Sequence, residues 1–284
     1  IRLALLASVL GASMAAQTTC PPTPAYSVCE FALELSPEEL QSHPNPYESV
    51  TVDVEFRSPR FRTLKLPAYW DGGNRMMVRF APTEAGSWDY RVTGNLPRLN
   101  GAIGRVEAVP SDSPGFVRAR NVHHWGYSGS DRPHLWMGDT SMRLAFLSEE
   151  GFRGLLAAYS ARKFNHLRIS VIGGPDDSAT VFPSPDRPEA DFFRRLDQRI
   201  LALNRAGVVA DLVLGGRRNH LADLFPTRES RERYLRYLVG RYAAMHIIWQ
   251  GVEAFEEYDE GRELLREIGG LLRRLDPYAH PRST

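Results

Sequence analysis

The chain has 284 residues, 43% hydrophobic and 24% charged, which excludes an intrinsically disordered polymer and leaves room for one large or two modest domains. Its 35 basic and 34 acidic residues leave a formal charge of +1, so neither a nucleic acid nor an anionic membrane is implied as a partner. With two cysteines and no second Cys pair, a structural zinc site is not expected, and no cofactor is implied.

Residues 1–16, IRLALLASVLGASMAA, read as the tail of a signal peptide. Arg2 precedes an apolar run of about ten residues, the length of an h-region. Ser13-Met14-Ala15 supplies small residues for cleavage after Ala15 or Ala16. The run is too short to span a bilayer, so the mature protein is expected to be secreted or periplasmic, with no membrane attachment after cleavage. Cys20 and Cys29 stand nine positions apart. Export favours a disulfide closing a small loop over Pro21, Pro22 and Pro24. Free thiols and a lipid anchor on Cys20 are the alternatives, and no small-residue box precedes Cys20 to support the anchor.

From 25 to 110 the signal is β. Val50, Val52, Val54 and Phe56 alternate with polar residues, one buried face at period two. Met77–Phe80 and Trp88–Val92 repeat the pattern, separated by the turn residues Asp71-Gly72-Gly73-Asn74 and Glu84-Ala85-Gly86-Ser87. Short strands with Gly-rich turns predict an immunoglobulin-like β-sandwich. Trp70, Trp88 and Tyr90 are candidate sugar platforms, but core positions suit such rings better. Residues 111–134 read as a linker. His123 and His124 within it form an incomplete ligand set, so no metal is expected.

Over 135–284 the period changes. Four short apolar strands are predicted: Leu135–Met137 ending in Gly138-Asp139-Thr140, then His166–Ile172, Val208–Leu214 and Ile247–Val252. Four helices alternate with them, marked by Phe152/Tyr159, Phe192/Leu203, Tyr234/Tyr242 and Leu264/Leu275. Strand–helix alternation means a parallel sheet with helical crossovers. Such a run is shorter than the about 250 residues of a closed barrel. It reads either as an open doubly wound sheet or, preferably, as the first half of a (β/α)8 TIM barrel. No Gly-rich fingerprint supports dinucleotide binding.

Chemistry is expected at His246–Tyr258, HIIWQGVEAFEEY, where an apolar strand runs out into Glu253, Glu256 and Glu257. Strand ends at the C-terminal edge carry the chemistry of barrels, and an aromatic beside a carboxylate suits sugar hydrolysis. Trp249 is either a stacking face or core. Glu256, Glu257, Asp259 and Glu260 are equally the solvated first turn of the next helix. Inward-facing Arg168 requires an acid beside it, with Asp139, Asp211 and Glu253 as candidates and an ion pair with Asp211 preferred.

The motifs Trp70-Asp71-Gly72-Gly73-Asn74, Val78-Arg79-Phe80-Ala81-Pro82 and Gly86-Ser87-Trp88-Asp89-Tyr90 resemble the β-sandwich module ahead of apiosidase-like glycoside hydrolase barrels. Asn121, His124, Gly138-Asp139-Thr140, Phe164-Asn165-His166-Leu167-Arg168, Ile248-Trp249, Asp276-Pro277-Tyr278 and His280-Pro281 resemble the barrel of that family. The resemblance implies a TIM barrel hydrolysing glycosides with two carboxylates and a carbohydrate as partner. It implies substrate contacts at Asp139, Thr140, Arg168 and Trp249, with Arg168 orienting the nucleophile. It places the acid/base at the end of strand four, as Asn-Glu after a Trp, and the nucleophile on a seventh strand downstream of this chain. Here the Asn-Glu positions hold Glu253 and Ala254, so the acid/base is displaced to Glu253, replaced by Glu256, or missing. A non-catalytic carbohydrate-binding barrel is the competing expectation.

Overall fold

The computed structural model describes residues 20–284; the expected signal peptide, 1–16, lies outside them. The Cys20–Cys29 disulfide is formed.

The N-terminal part runs β1 (Thr23–Pro24), β2 (Cys29–Glu34), α1 (Pro37–Ser42), α2 (Pro46–Ser49), β3 (Val52–Arg57), β4 (Thr63–Pro67), β5 (Tyr69–Trp70), β6 (Arg75–Phe80), β7 (Gly86–Gly94) and β8 (Ile103–Val109). Helix α1 starts in a reciprocal cap: Ser36 Oγ accepts from the Glu39 amide, and the Glu39 carboxylate accepts from the Ser36 amide. The strands form two sheets, β1-β8-β7-β3-β4 and β2-β6-β5. The alternation in β3 puts Val52, Val54 and Phe56 in the core, each burial contributing about 1.5–3 kcal/mol. Phe56 of one sheet stacks on Phe80 of the other at 3.9 Å, and Trp88 meets Phe80 edge-on, so the two sheets share one core. Trp88 and Tyr90 are therefore core residues; Trp70 is half-buried, its indole N–H donating to the Gly73 carbonyl.

The stretch read as a linker holds structure of its own. Strands β9 (Val117–Ala119), β10 (Trp125–Tyr127) and β11 (Pro133–His134) form an antiparallel sheet. Then come β12 (Gly138–Thr140), α3 (Glu149–Arg162), β13 (His166–Ser170), α4 (Ser178–Val181), α5 (Ala190–Arg205), β14 (Val209–Gly215), α6 (His220–Leu224), α7 (Arg228–Tyr242), β15 (Ile247–Val252), α8 (Gly261–Leu275) and β16 (Arg282–Ser283). Strands β12 to β16 make one parallel sheet in chain order, without the reversal that defines a doubly wound sheet. Two expectations are corrected. The first parallel strand is Gly138–Thr140 rather than Leu135–Met137, whose side chains are exposed, and a fifth strand, β16, follows α8.

Charge ties the two parts together. Arg79 of β6 donates to Asp197 of α5 at 2.7 Å and to the Arg241 carbonyl of α7 at 2.8 Å, and also pairs with Glu30. Arg241 donates to both Asp197 oxygens, to Asp71 at 2.7 Å and to the Tyr237 hydroxyl at 2.8 Å. Its guanidinium lies over the Tyr69 ring. Arg79, Arg241, Asp71 and Asp197 are all buried. Burial pushes the Asp197 carboxyl up, but the two guanidiniums outweigh it and hold it below the usual carboxylate range.

Candidate active site

Period two divides the parallel sheet into two faces. Strand register sets Thr140, Arg168, Asp211 and Ile248 side by side on one face, and Asp139, Leu167, Ala210 and Ile247 on the other. The second face packs on helices. Trp249 lies on it, fully buried, with its indole N–H donating to Asp276 at 2.9 Å. Asp139 faces the same way: Tyr159 of α3 hydrogen-bonds it, and its carboxyl is lowered first by the Thr140 amide and then by that hydroxyl.

The first face is polar and layered. At its N-terminal end His166 Nδ1 donates to Asp211 at 2.7 Å. His166 Nε2 then accepts from His134 Nε2 at 2.7 Å, and His134 Nδ1 accepts from the Tyr127 hydroxyl at 2.7 Å. Burial, with His166 beside it, pushes His134 down to about 4, which keeps that ring neutral and the chain of hydrogen bonds intact. Trp136 stacks on His166 at 3.8 Å. Below it, Val117 of β9 packs on Val209 and Ile248, so the small antiparallel sheet closes this end. Nearer the C-terminal edge, half-buried Arg168 donates to Gln250 at 2.7 Å.

The loops leaving the C-terminal ends of the strands are stitched to one another in turn. Arg143, after β12, donates to both oxygens of Asp177, after β13. Ser178 meets His220, after β14, at 2.6 Å. The Gly216 amide donates to His220 Nδ1, so His220 Nε2 carries the proton and donates to Ser178; this pair is not an activated serine. Arg217 pairs with Glu257, and Asn219 donates to Asp259 at 2.6 Å, tying the β14 loop to the β15 loop. The Tyr258 hydroxyl donates to the Gly216 carbonyl and accepts from the Leu221 amide. Burial pushes that hydroxyl up to about 12, with Asp223 and Glu253 adding to it. Non-glycine residues in the left-handed region cluster on this rim: Arg218 (φ 54°), Asn219 (φ 58°) and Ala254 (φ 48°). Such strain persists where surrounding contacts over-determine the backbone, and it gathers at functional sites. Glu253, half-buried, starts the β15 loop. Its amide donates to the Gly215 carbonyl at 2.9 Å, and this tie to the end of β14 fixes where the carboxylate leaves the sheet.

Residues 125–284, more than half of the sequence, match the family described as "Apiosidase-like, catalytic domain". The chain belongs to the apiosidase-like family. Residues 23–95 match a domain of unknown function, DUF5060. Among solved structures, a candidate glycoside hydrolase from Bacteroides vulgatus superposes with a TM-score of 0.77 at 21% identity, over 94% of this chain and 56% of its own. This chain thus spans little more than half the length of that relative. A family 5 glycoside hydrolase from the same organism gives a TM-score of 0.49 at 17% identity, over 60% of this chain and 38% of its own. No curated protein matches. The first of these structures, with the strand and helix order of this chain, describes a multidomain β plus α/β fold.

Within this apiosidase-like chain the expected site residues separate. Thr140 and Arg168 share the polar face, and Glu253 begins the loop that follows β15. Trp249 and Asp139 lie on the helix side: the fully buried indole offers no stacking face, whereas Asp139 is exposed and its carboxylate accepts from Tyr159 of α3. Glu256 is exposed on the short turn Phe255–Glu257. Glu257 and Asp259 are not a free helix turn, because both are tied to the preceding loop. Arg168 takes an amide rather than an acid, and Asp211 takes His166. Asp211 and Arg168 sit opposite each other, but each side chain reaches diagonally to the next row. Sequence reasoning assigned no role to Gln250, His166, His134 or Tyr127. Gln250 left a signal as a polar residue inside an apolar strand, and His166 as part of the Phe164–Arg168 motif.

Proposed function

We propose that the chain is the N-terminal portion of an exported glycoside hydrolase. In this reading an immunoglobulin-like β-sandwich precedes the first strands of a (β/α)8 barrel, and Glu253 serves as general acid/base on a carbohydrate substrate. Further strands, in a longer polypeptide, supply the second carboxylate, which Arg168 orients. Export rests on the Arg2-led apolar run and the formed disulfide.

The observation that carries this reading is the position of Glu253. It follows the fourth of five sequentially ordered parallel strands, half-buried on a rim of mutually tied loops, at the sheet edge where barrels do their chemistry. Arg168 lies on the polar face of that sheet with only an amide as side-chain partner among the described residues. A guanidinium so placed suits a carboxylate that arrives from elsewhere.

The test is Glu253→Gln in the full-length protein, assayed for reducing-sugar release from a panel of plant and microbial glycans. The expected loss is about 10²–10⁴-fold, with the melting temperature unchanged. A variant as active as the parent would overturn the assignment. One observation favours a second reading, a barrel that holds glycans without cleaving them: Ala254 occupies the position where the family pattern implies the acid. An inactive parent that still binds glycans would establish it.

A further inference from the structure

The hairpin joining β3 to β4 presents an aromatic ring in a conformation that its residue type disfavours. Phe61 has φ 63° and is 74% exposed. For a bulky residue the left-handed region is a steric outlier, one that glycine would occupy without cost. The turn is nevertheless tightly determined. Buried Ser58 accepts at its hydroxyl from the Arg60 and Arg62 amides, its own amide donates to the Arg62 carbonyl, and the Phe61 amide donates to the Ser58 carbonyl. An exposed ring is thus held by a strained turn whose backbone is pinned at buried Ser58.

Its surroundings are cationic. Residues 57–65, RSPRFRTLK, carry Arg57, Arg60, Arg62 and Lys65 and no acid. The Arg57 guanidinium lies over the Phe61 ring, 4.8 Å from its centre. Two acids come near from β7 and the turn before it. Glu84 pairs with Arg60 at 3.1 Å, and Asp89, opposite Arg57 in register, is engaged by Arg105 at 2.9 Å. Lys65 pairs with Asp53 at 3.1 Å. Glu55 stands opposite Lys65 in register, but among the described residues Arg57 and Arg62 form no salt bridge, so residues 57–62 keep positive charge in a chain that is nearly neutral overall.

We infer that this hairpin tip is a binding site for an acidic polysaccharide, a polyuronate, separate from the Glu253 rim. A ring packs on the C–H face of a pyranose, and guanidiniums grip carboxylates with paired N–H donors. An anionic bilayer would call for a broader apolar face than one ring. The choice of a polysaccharide rests on membership of a glycoside hydrolase-like family, but the site's test does not depend on hydrolysis.

The chain and its variants would be run through native gels containing alginate or polygalacturonate, and through gels containing neutral mannan. The expected result is retardation in the polyuronate gels that weakens with added salt, and none in mannan. Phe61→Gly is expected to bind about tenfold more weakly while melting at a higher temperature, since glycine relieves the left-handed strain. Arg62→Ala is expected to weaken binding with the melting temperature unchanged. Equal retardation in mannan, an undiminished Phe61→Gly, or binding confined to phosphatidylglycerol vesicles would each overturn the inference. Glu253→Gln is expected to be retarded as strongly as the parent, so loss of hydrolysis and loss of this site are read separately.

Discussion

Two arginines on either side of the same fold are treated in opposite ways. Arg241 is wholly buried and shared between Asp197 and Asp71, with Tyr237 taking a further N–H. Arg168 is half-buried and, among the described residues, holds only the Gln250 amide by a side-chain hydrogen bond. A guanidinium taken out of water must be neutralised, so the first arrangement closes on itself. The second leaves a charge without a carboxylate among the described residues, on a face shared with Thr140. The contrast separates an arginine that joins the two parts of the chain from one still available to a ligand.

The largest effect should come from breaking the first arrangement. Arg241→Met leaves buried Asp197 with Arg79 alone and buried Asp71 with only Arg194, 3.4 Å away. The expected cost is about 3–5 kcal/mol, read as a fall in denaturant midpoint or as failure to fold. Because Asp197 and Arg79 come from different parts of the chain, both are expected to lose protection from hydrogen exchange together. A variant that melts like the parent would show that the ion cluster contributes nothing to joining them.

Acid distinguishes the two regions by pH. His134 is held down to about 4 against an unfolded value of about 6.5. Between these values the unfolded chain binds a proton that the folded chain refuses. Stability from this group is therefore full above about pH 6.5 and declines as the pH falls toward about 4. His220 and His246, lowered chiefly by burial, add in the same direction. Asp197 behaves differently: its folded value lies below the unfolded one, so its contribution persists until the pH falls below the ordinary carboxylate range. The melting temperature is expected to decline from about pH 6.5 to about 4, and His134→Gln is expected to flatten that slope. An unaltered slope in the variant would remove His134 from the explanation.

The parts of this design that sequence exposes are those that repeat. Val52, Val54 and Phe56 announce a strand by alternation, and Phe192, Leu196, Ile200 and Leu203 announce α5 by helical spacing, because one buried face imposes one period. The strand IIWQGV was readable to its ends. What stayed hidden depends on pairing at long range. Arg79, Asp197 and Arg241 lie 44 to 162 residues apart, and nothing local in RMMVRF or RRLDQR marks them as partners. Residues 117–134 carry too few apolar residues per strand to show a period, although they close one end of the parallel sheet. At the site, strand register decided what composition could not. Trp249 and Gln250 are neighbours in sequence, and the pleat sends the first to the helices and the second to Arg168.

The smallest effect on stability should fall on the residue of greatest functional interest. Arg168→Met removes a charge that no carboxylate among the described residues balances. Gln250 is half-buried and retains a second contact, donating from Nε2 to the Thr284 carbonyl at 3.2 Å. The expected cost is about 1 kcal/mol, several times less than for Arg241→Met. Activity of the full-length protein is expected to fall far more than stability, because an oriented guanidinium acts on the reacting carboxylate and not on the fold. Equal destabilisation by the two substitutions would mean that Arg168 is another structural cation whose partner lies outside residues 20–284, and the distinction between the two arginines would collapse.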